Sequence, residues 1–387
     1  MERLSARINA LAPSATIAMN QKSQELKAKG VDVINLSVGE PDFSTPDHIR
    51  EAAKKAIDGD YHHYSPVHGY ADLREAIATK LKRENNLHYT SSQIVVSTGA
   101  KHALANAIMC LVDKGDEVIV PAPYWVSYIE QVKIAEGENV ILDTTVDDDF
   151  KLKPGQLRAA ITPKTKVLLL CSPSNPTGSV YTKEELRGLA DVIAEHKRIF
   201  VLADEIYEHI NFTGGHESIA QFENIRDRVV IINGVSKAYA MTGWRIGYMA
   251  GPEWLAKACS KLQGQVTSGA TSIAQRAALA ALTEDQTCVH EMKLAFLRRR
   301  DLILDHLKDI EGIKCNVPGG AFYVFPDVSP DASEQYFSKI RYERNWNSRP
   351  VDLDRDWKMG EDPFEDLNND GYITMIRVHD ANGTHIE

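Results

Sequence analysis

Residues 233–247 read NGVSKAYAMTGWRIG and follow directly on the apolar run 229–232, which is typical of a buried strand. This stretch carries one lysine, Lys237, among small and apolar neighbours, and one arginine, Arg245, further along. Because a low-dielectric setting disfavours the charged form of a lysine, the Lys237 amine can act as a nucleophile towards a carbonyl. Arg245 is a permanent cation that suits a phosphate.

An amine that forms a Schiff base beside a phosphate anchor is the pair of groups that pyridoxal 5′-phosphate (PLP) requires. The same stretch is equally compatible with a partly buried lysine that caps a turn, and taken alone it does not separate these interpretations. The choice between them depends on what the rest of the chain places beside Lys237.

The overall composition is typical of a soluble globular enzyme, with 387 residues, 43% hydrophobic and 25% charged. The net charge of −10 argues against nucleic acid as a partner. No apolar run has the length of a membrane span, and the N-terminus lacks the apolar core of a signal peptide, so no membrane partner is expected. The five cysteines are scattered without a close pair, which predicts reduced thiols and a cytoplasmic location.

From residue 94 onward, short β-branched runs alternate with helical segments, which predicts an α/β fold with a mostly parallel sheet covered on both faces. The predicted strands are 94–97, 117–120, 166–170, 200–203 and 229–232. Helices are predicted over 1–30, 46–58, 71–84 and 101–112, with a short strand over 33–36. Ligands collect at the carboxyl ends of parallel strands, so the residues just beyond each strand form one candidate site.

Each of the five predicted strand ends carries a segment suited to ligand binding. Gly99, Ala100 and Lys101 open the helix after the first strand, where backbone N–H groups suit a phosphate. The next four ends carry, in order, Trp125, then Asn175 in a proline-rich turn, then Asp204 and Tyr207, and finally Lys237. Each segment alone is a weak signal, because an Asp at a strand end is usually a cap and an Asn-Pro usually a turn. All five segments in this order at one edge of the sheet are together a strong signal for a ligand site.

Together with the loop 39–41, Gly-Glu-Pro, these segments resemble the fold-type I PLP-dependent aminotransferases of class I, and among them the bacterial aspartate aminotransferases. The resemblance extends from near the N-terminus to about residue 327. It implies a large PLP-binding domain over 46–285, preceded by an N-terminal arm and part of a small domain over 1–45. Residues 286–330 would begin a C-terminal small α+β domain that is incomplete, and 331–387 would be a divergent acidic tail.

The resemblance also implies roles around the cofactor ring. Lys237 would hold PLP as a Schiff base and move a proton between the substrate and the cofactor. Asp204 would pair with the pyridinium nitrogen, while Asn175 and Tyr207 would hydrogen-bond the phenolic oxygen. Trp125 would stack on the ring. Lys237, Asp204 and Tyr207 are therefore the predicted catalytic residues.

Further implied roles concern the phosphate, the substrate and a second subunit. The remaining cofactor contacts would come from Gly99, Ala100, Lys101, Ser236 and Arg245. Tyr64 resembles the tyrosine that reaches the phosphate of the neighbouring subunit, which implies a homodimer with shared sites. Gly39 would lie over the substrate through its backbone, and Trp125 and Asn175 would contact the substrate as well. No metal is expected.

The implied reaction is transfer of an amino group between an aspartate-like L-amino acid and 2-oxoglutarate. Two alternatives stay open from the sequence. The first is another PLP reaction, either β-elimination or aromatic transamination. The second is a chimeric or degraded chain that binds PLP without efficient turnover.

The second alternative is kept because the chain departs from the family pattern after Pro330. From residue 331 to the end, 13 acidic residues face 7 basic ones, which marks a possible boundary. The family places an arginine against the substrate α-carboxylate in this part of the chain, and Arg377 is the only superficial candidate. Its flanking residues do not match. The loss of this anchor predicts weak transamination.

Residues 347–387 resemble instead an insert of some bacterial zinc carboxypeptidases. The resemblance is carried by VDLDRDW at 351–357 and EDLNNDGYIT at 365–374. Residues 366–371 also match the first half of a calcium loop, with its aspartates, asparagine and glycine in place. The twelfth position of that loop is Arg377, where a bidentate glutamate is needed.

Overall fold

The structure, a computed structural model, describes residues 4–36 and 38–328, except for the side chain of Ala15. Its centre is a seven-stranded sheet with the strand order β1-β7-β6-β5-β4-β2-β3. The strands are β1 (Ile94–Ser97), β2 (Glu117–Ala122), β3 (Glu138–Asp143), β4 (Thr165–Cys171), β5 (Phe200–Asp204), β6 (Val229–Gly234) and β7 (Gly247–Ala250). Strand β7 runs in the opposite direction to the other six strands of this sheet. The predicted mostly parallel α/β sheet is confirmed.

All five predicted strands are present, and each extends at most two residues beyond its predicted bounds. Two strands of this sheet were not predicted. β3 lies at the edge of the sheet and mixes polar with apolar residues, while β7 has no β-branched residue. The strand predicted over 33–36 is wrong, because these residues pair with no strand in the described part of the chain.

The helices in the described ranges are α1 (Ala6–Asn9), α2 (Ala15–Ala28), α3 (Asp47–Asp58), α4 (Ala71–Asn85), α5 (Ala100–Leu111), α6 (Ser127–Ile134), α7 (Pro154–Ala160), α8 (Lys183–Ala194), α9 (Glu253–Val266), α10 (Ser272–Thr283) and α11 (Thr287–Lys308). The predicted helices 46–58, 71–84 and 101–112 match α3, α4 and α5 to within one residue. The single helix predicted over 1–30 is wrong. It is divided into α1 and α2 near Pro13, whose ring removes a backbone donor and disfavours helix in the residue before it.

Two layers of helices cover the sheet. Val95 and the inward sides of α5, α6 and α9 share one apolar cluster. Val96, the next residue of the same strand, packs into a second cluster with α3, α4, α8 and α10. Successive residues of a strand point to opposite faces, so both faces are buried and only the strand ends are left to form a site.

The chain after α11 returns to the sheet. β8 (Ile313–Lys314) pairs antiparallel with β9 (Asp327–Val328). Between them, the amide of Phe212 donates to the carbonyl of Gly319 (2.7 Å), and the amide of Ala321 donates to the carbonyl of Ile210 (2.7 Å). These bonds hold residues 319–323 against the turn that follows β5.

Several predictions fall outside what the structure describes. Residues 331–387 carry the acidic tail, the carboxypeptidase-like insert, the partial calcium loop and Arg377, and they lie beyond the described residues. The domain bounds at 45, 285 and 330 stay predictions. All five cysteines are free. None of the helices within 4–328 combines the length and apolar character that crossing a bilayer requires.

Candidate active site

A cradle for an anion lies where β1 enters α5. Gly99 has a φ of +84°, and a Cβ placed on it would lie 2.4 Å from Nη2 of Arg245. The guanidinium therefore sits directly against a backbone that only glycine permits. Lys101 Nζ lies 4.8 Å from the centre of the Trp125 ring. The first backbone N–H groups of α5 have no partner within the helix, so N–H groups and two cations are available for one phosphate.

The backbone path of residues 242–247 holds Arg245 in this place. Arg245 has a φ of +57°, and its Nη1 donates to the carbonyl of Thr242 (2.9 Å). A Cβ on Gly247 would lie 2.1 Å from the amide nitrogen of Ala100. The start of β7 thus packs directly on the start of α5, which brings the arginine and the helix N-terminus together.

Lys237 follows β6 in a half-buried position. Its Nζ donates to the carbonyl of Gly39 (2.5 Å) and lies 5.8 Å from the centre of the Tyr207 ring. Burial lowers the pKa of Lys237 to about 8, against the opposing effect of Glu40 and with a further lowering by Arg245. A much larger fraction of this amine is therefore neutral at physiological pH than for an ordinary lysine, as a nucleophile requires.

Asp204 ends β5 and is buried. Its Oδ2 accepts a hydrogen bond from the hydroxyl of Tyr128 (2.7 Å), and its Oδ1 accepts one from the amide of Ile206 (3.3 Å). Burial raises the pKa of Asp204 to about 6, although the Tyr128 bond and the charge of Lys237 act in the opposite direction. A cationic group placed against this buried carboxylate would stabilise its charged form.

Three polar side chains meet beside Lys237 and Asp204. The hydroxyls of Tyr207 and Tyr323 lie 2.6 Å apart. The side-chain amide of Asn175 donates to both, at 3.4 Å to Tyr207 and 3.3 Å to Tyr323. Burial raises the pKa of both tyrosines well above its ordinary value, so their hydroxyls remain protonated. The group can therefore donate hydrogen bonds to an anionic oxygen.

The structure brings most of the predicted site residues together. Gly39 approaches so closely that a Cβ on it would lie 2.1 Å from the hydroxyl of Tyr323. Trp125 is half-buried, with its ring 5.4 Å from that of Tyr128 in an edge-to-face contact. Ser236 is buried directly before Lys237. Tyr64 is the exception, because it is 99% exposed on this chain.

Tyr128 and Tyr323 were missed by sequence reasoning. Tyr128 lies in the first turn of α6, three residues after Trp125, and this spacing could have indicated that both side chains face the same way. Tyr323 lies in the segment Gly-Gly-Ala-Phe-Tyr at 319–323, which shows no spacing that assigns it to the end of a strand. Only the return of the chain after α11 brings it to Tyr207.

These residues fit PLP. The cradle of Gly99 and Arg245 admits a phosphate where a Cβ would fill the space. The buried Asp204 suits a protonated ring nitrogen, and the hydroxyl of Tyr207 suits a phenolate oxygen. Lys237 supplies the amine, and its charge and that of Asp204 each affect the pKa of the other, as expected for two neighbouring groups.

Comparisons with known proteins point to one family. The family model described as aminotransferase class I and II matches residues 31–352, further than the residue 327 predicted above. The aspartate aminotransferase of Bacillus subtilis (strain 168) is 47% identical over 340 residues, which cover 87% of this chain and 86% of the relative. The aspartate/prephenate aminotransferase of Cereibacter sphaeroides is 49% identical over 319 residues, covering 82% and 80%.

Solved structures agree with these sequences. An aspartate aminotransferase from Thermus thermophilus with maleate superposes with a TM-score of 0.83 at 44% identity, covering 87% of this chain and 90% of that one. The enzyme from Rhizobium meliloti gives a TM-score of 0.82 at 42% identity, covering 86% and 85%.

Proposed function

The chain belongs to the class I and II aminotransferases, and on that premise we propose that it moves an amino group from an aspartate-like L-amino acid to 2-oxoglutarate. The family transfers amino groups in amino acid metabolism with PLP as cofactor, so the chain is a PLP-dependent aminotransferase. Relatives at 47–49% identity that are named for aspartate support the choice of donor. Several are named for prephenate as well, so prephenate is a second acceptor to assay.

The observation that carries this proposal is the convergence of the Lys237 amine, the buried Asp204 carboxylate and the cradle of Gly99 and Arg245 in one pocket. When bound, PLP supplies an electron-accepting ring that stabilises the charge left when a proton leaves the substrate α-carbon. Lys237 would hold the cofactor. Its amine, with a pKa of about 8, is suited to accept that proton and return it.

The residues around Lys237 would fix the cofactor ring. Asp204 would face the ring nitrogen as a carboxylate, which its bond from Tyr128 favours. Tyr207 and Asn175 would donate to the phenolic oxygen, with Tyr323 holding the Tyr207 hydroxyl in place. The flat face that stacks on the ring would come from Trp125. The proposed phosphate and cofactor contacts are Gly99, Ala100, Lys101, Ser236 and Arg245.

The substrate would enter between the loop at Gly39 and the face of Trp125. The Gly39 carbonyl already accepts from Lys237, which places this backbone beside the reacting amine. Asn175 is half-buried at the same opening and offers an amide to the substrate. The predicted carboxylate anchor Arg377 lies outside the described residues, so the proposed substrate contacts are Gly39, Trp125 and Asn175.

A second copy of the chain would complete the site. Tyr64 is 99% exposed and free to contact a second subunit, and we propose that it reaches the phosphate cradle of a partner subunit in a homodimer. Free cysteines throughout the chain support the proposed cytoplasmic location. The domain bounds predicted from the sequence are retained in this proposal.

The decisive experiment starts from the cofactor itself. The purified full-length chain should show the visible absorption of bound PLP, and borohydride should fix the cofactor on Lys237, as peptide mass spectrometry can establish. A Lys237→Ala protein that still retained the fixed cofactor would contradict the assignment.

Product analysis then separates the possible reactions. With aspartate and 2-oxoglutarate, the proposal predicts oxaloacetate and glutamate without free ammonia. An elimination reaction is tested separately with β-chloroalanine, whose loss of chloride would release pyruvate and ammonia. A third outcome is full cofactor binding without any amino transfer, whether the donor is aspartate or an aromatic amino acid and whether the acceptor is 2-oxoglutarate or prephenate. That outcome would indicate a chain that binds PLP without turnover.

A further inference from the structure

A buried polar cluster lies behind the turn that carries Asp204 and Tyr207. Its centre is Glu208, a buried residue that follows Tyr207 in the sequence. Its Oε1 accepts hydrogen bonds from Lys80 Nζ and from the side-chain amide of Asn233 (2.7 Å). Its Oε2 accepts one from the side-chain amide of Asn85 (2.8 Å). We call these four residues, Lys80, Asn85, Glu208 and Asn233, the Glu208 junction.

The junction is an ion pair sealed from water. Lys80 is 1% exposed, and its Nζ also donates to the Oδ1 of Asn85 (3.0 Å). Although burial by itself would raise the pKa of Glu208, the Lys80 ammonium holds that pKa well below its ordinary value. Glu208 is therefore a carboxylate at every physiological pH. A buried charge of this kind is tolerated only with a partner and hydrogen bonds, which the junction supplies.

The junction is not an open cation site, even though histidines lie near it. The groups Glu84, Glu208, His209 and Glu205, Glu208, His216 each bring three possible ligands close together. Both groups depend on Glu208, whose two oxygens already accept three hydrogen bonds, one of them from an ammonium. A metal ion would have to displace Lys80, so the arrangement favours a structural link.

The link joins helix α4 to two segments that carry or lead into the active site. Lys80 and Asn85 belong to α4, and Glu208 belongs to the turn after β5. Asn233 lies in β6, four residues before Lys237, and its Oδ1 also accepts from the amide of Gly234 (2.7 Å). One carboxylate therefore ties the turn of Tyr207 to the strand that leads into Lys237.

Backbone pairing alone does not hold these two segments together. β5 and β6 pair through residues 201–204 and 229–232, and the last backbone bond runs from the amide of Glu205 to the carbonyl of Ile232 (2.9 Å). After that bond, one segment continues to Tyr207 and the other to Lys237. The hydrogen bond from the Asn233 side-chain amide to Glu208 continues the connection between them.

We propose that Glu208 is a positioning residue that, together with Asn233, sets the placement of Asp204 and Tyr207 relative to the Lys237 amine. This inference rests on the proposed function, because it assigns the junction to the alignment of the same site. Small displacements of aligned groups are costly, since a misplacement of about 1 Å can reduce a rate roughly a hundredfold.

The test uses two variants of the junction and one matched control in the cofactor-loaded full-length protein. Glu208→Gln removes the charge but retains the shape, and Asn233→Ala breaks the bond to β6 while keeping the ion pair of Lys80 and Glu208. The control is Asp72→Asn. Asp72 also lies on α4, and its ion pair with Arg276 has no contact with the junction.

Two measurements separate alignment from stability. The first is the pH midpoint at which the visible absorption of the bound cofactor changes, which would report protonation of the Lys237 nitrogen that holds the cofactor, without turnover. The second is the division of the activity loss between kcat and KM. We expect both junction variants to shift the midpoint relative to Asp72→Asn and to lower kcat roughly tenfold to a hundredfold, with KM changed far less.

Each outcome decides the proposal. If Asn233→Ala has the absorption midpoint and kcat of Asp72→Asn, the junction acts only on stability and the proposal is wrong. Asn233→Ala alone decides if Glu208→Gln does not fold, because it leaves the buried charges paired. If the wild-type chain binds no cofactor, the proposed function is wrong. If every variant binds the cofactor and titrates as the wild type does, only the positioning role of Glu208 is wrong.

Discussion

Tyr128→Phe tests how the protein controls the ionisation of Asp204. The substitution removes one hydroxyl, which donates to Oδ2 of Asp204 at 2.7 Å in a buried setting. A hydrogen bond to a charged group contributes about 1.5–3 kcal/mol, and one pKa unit corresponds to about 1.4 kcal/mol. Because both groups are buried, solvent does not screen this bond, and its loss should raise the pKa of Asp204 by about one to two units from about 6.

The direction of this change determines its effect on function. At pH 7 the ionised fraction of Asp204 should fall from about nine tenths to half or less. A protonated Asp204 cannot hold a cationic ring nitrogen, so the acid limb of the kcat/KM profile should move to higher pH and cofactor affinity should fall at neutral pH.

The assay follows the Asp204 carboxyl in the cofactor-free protein by infrared difference spectroscopy across pH, with Asp204→Asn to identify the band. Tyr181→Phe is the matched control, because Tyr181 is equally buried but its hydroxyl accepts from the amide of Leu152 (2.7 Å). An Asp204 midpoint that is the same in Tyr128→Phe, Tyr181→Phe and the wild type would refute the reasoning.

Three further predictions concern the same pocket. Burial raises the pKa of Asp204 from 3.8 to about 6, so the stability that its protonated form contributes is present below pH 4 and is lost by about pH 6. The effect of Asp204→Asn on the free energy of unfolding of the cofactor-free protein should therefore be more favourable above pH 6 than below pH 4, by about 3 kcal/mol. Urea unfolding of both proteins at several pH values measures this difference. Gly99→Ala should weaken cofactor binding roughly tenfold or more, measured by fluorescence titration. Gly115→Ala, with a φ of +83° and nothing within 4 Å of its added Cβ, should leave binding unchanged although it bears the same backbone strain. Mixing inactive Tyr64→Ala and Lys237→Ala subunits should restore part of the activity, because one site of each mixed dimer is complete; mixtures that stay inactive would rule out sites shared through Tyr64.

The sheet shows what local patterns can predict. The five strands from β1 to β6 that were predicted are short, mainly apolar runs that are largely buried, and such runs have few other stable arrangements. β3 and β7 lack this pattern and form strands because neighbours offer them hydrogen bonds. The opposite case is residues 33–36, which have strand-like composition but pair with no described strand.

The site divides in the same way. Lys237, Asp204 and Asn175 could be predicted because each directly follows a strand, and strand ends in a parallel sheet meet at one edge. Tyr323 could not, since its partner lies 116 residues away in the chain, and for Tyr128 the spacing after Trp125 indicates a direction but not its contact with Asp204, 76 residues away. The Glu208 junction likewise depends on a contact between residues 128 positions apart.

The amino-acid sequence alone determined the α/β class, the order of the strands along the chain and the reactive groups that follow them, because these depend on local periodicity and on strand ends. Only the tertiary structure decided how strongly those groups are perturbed. The pKa of Lys237 and that of Asp204 depend on burial and on neighbours such as Arg245 and Tyr128, and these are brought near by packing between distant segments. The sequence therefore fixes which reactive groups are present, whereas their pKa values depend on the loss of water around them when the chain folds.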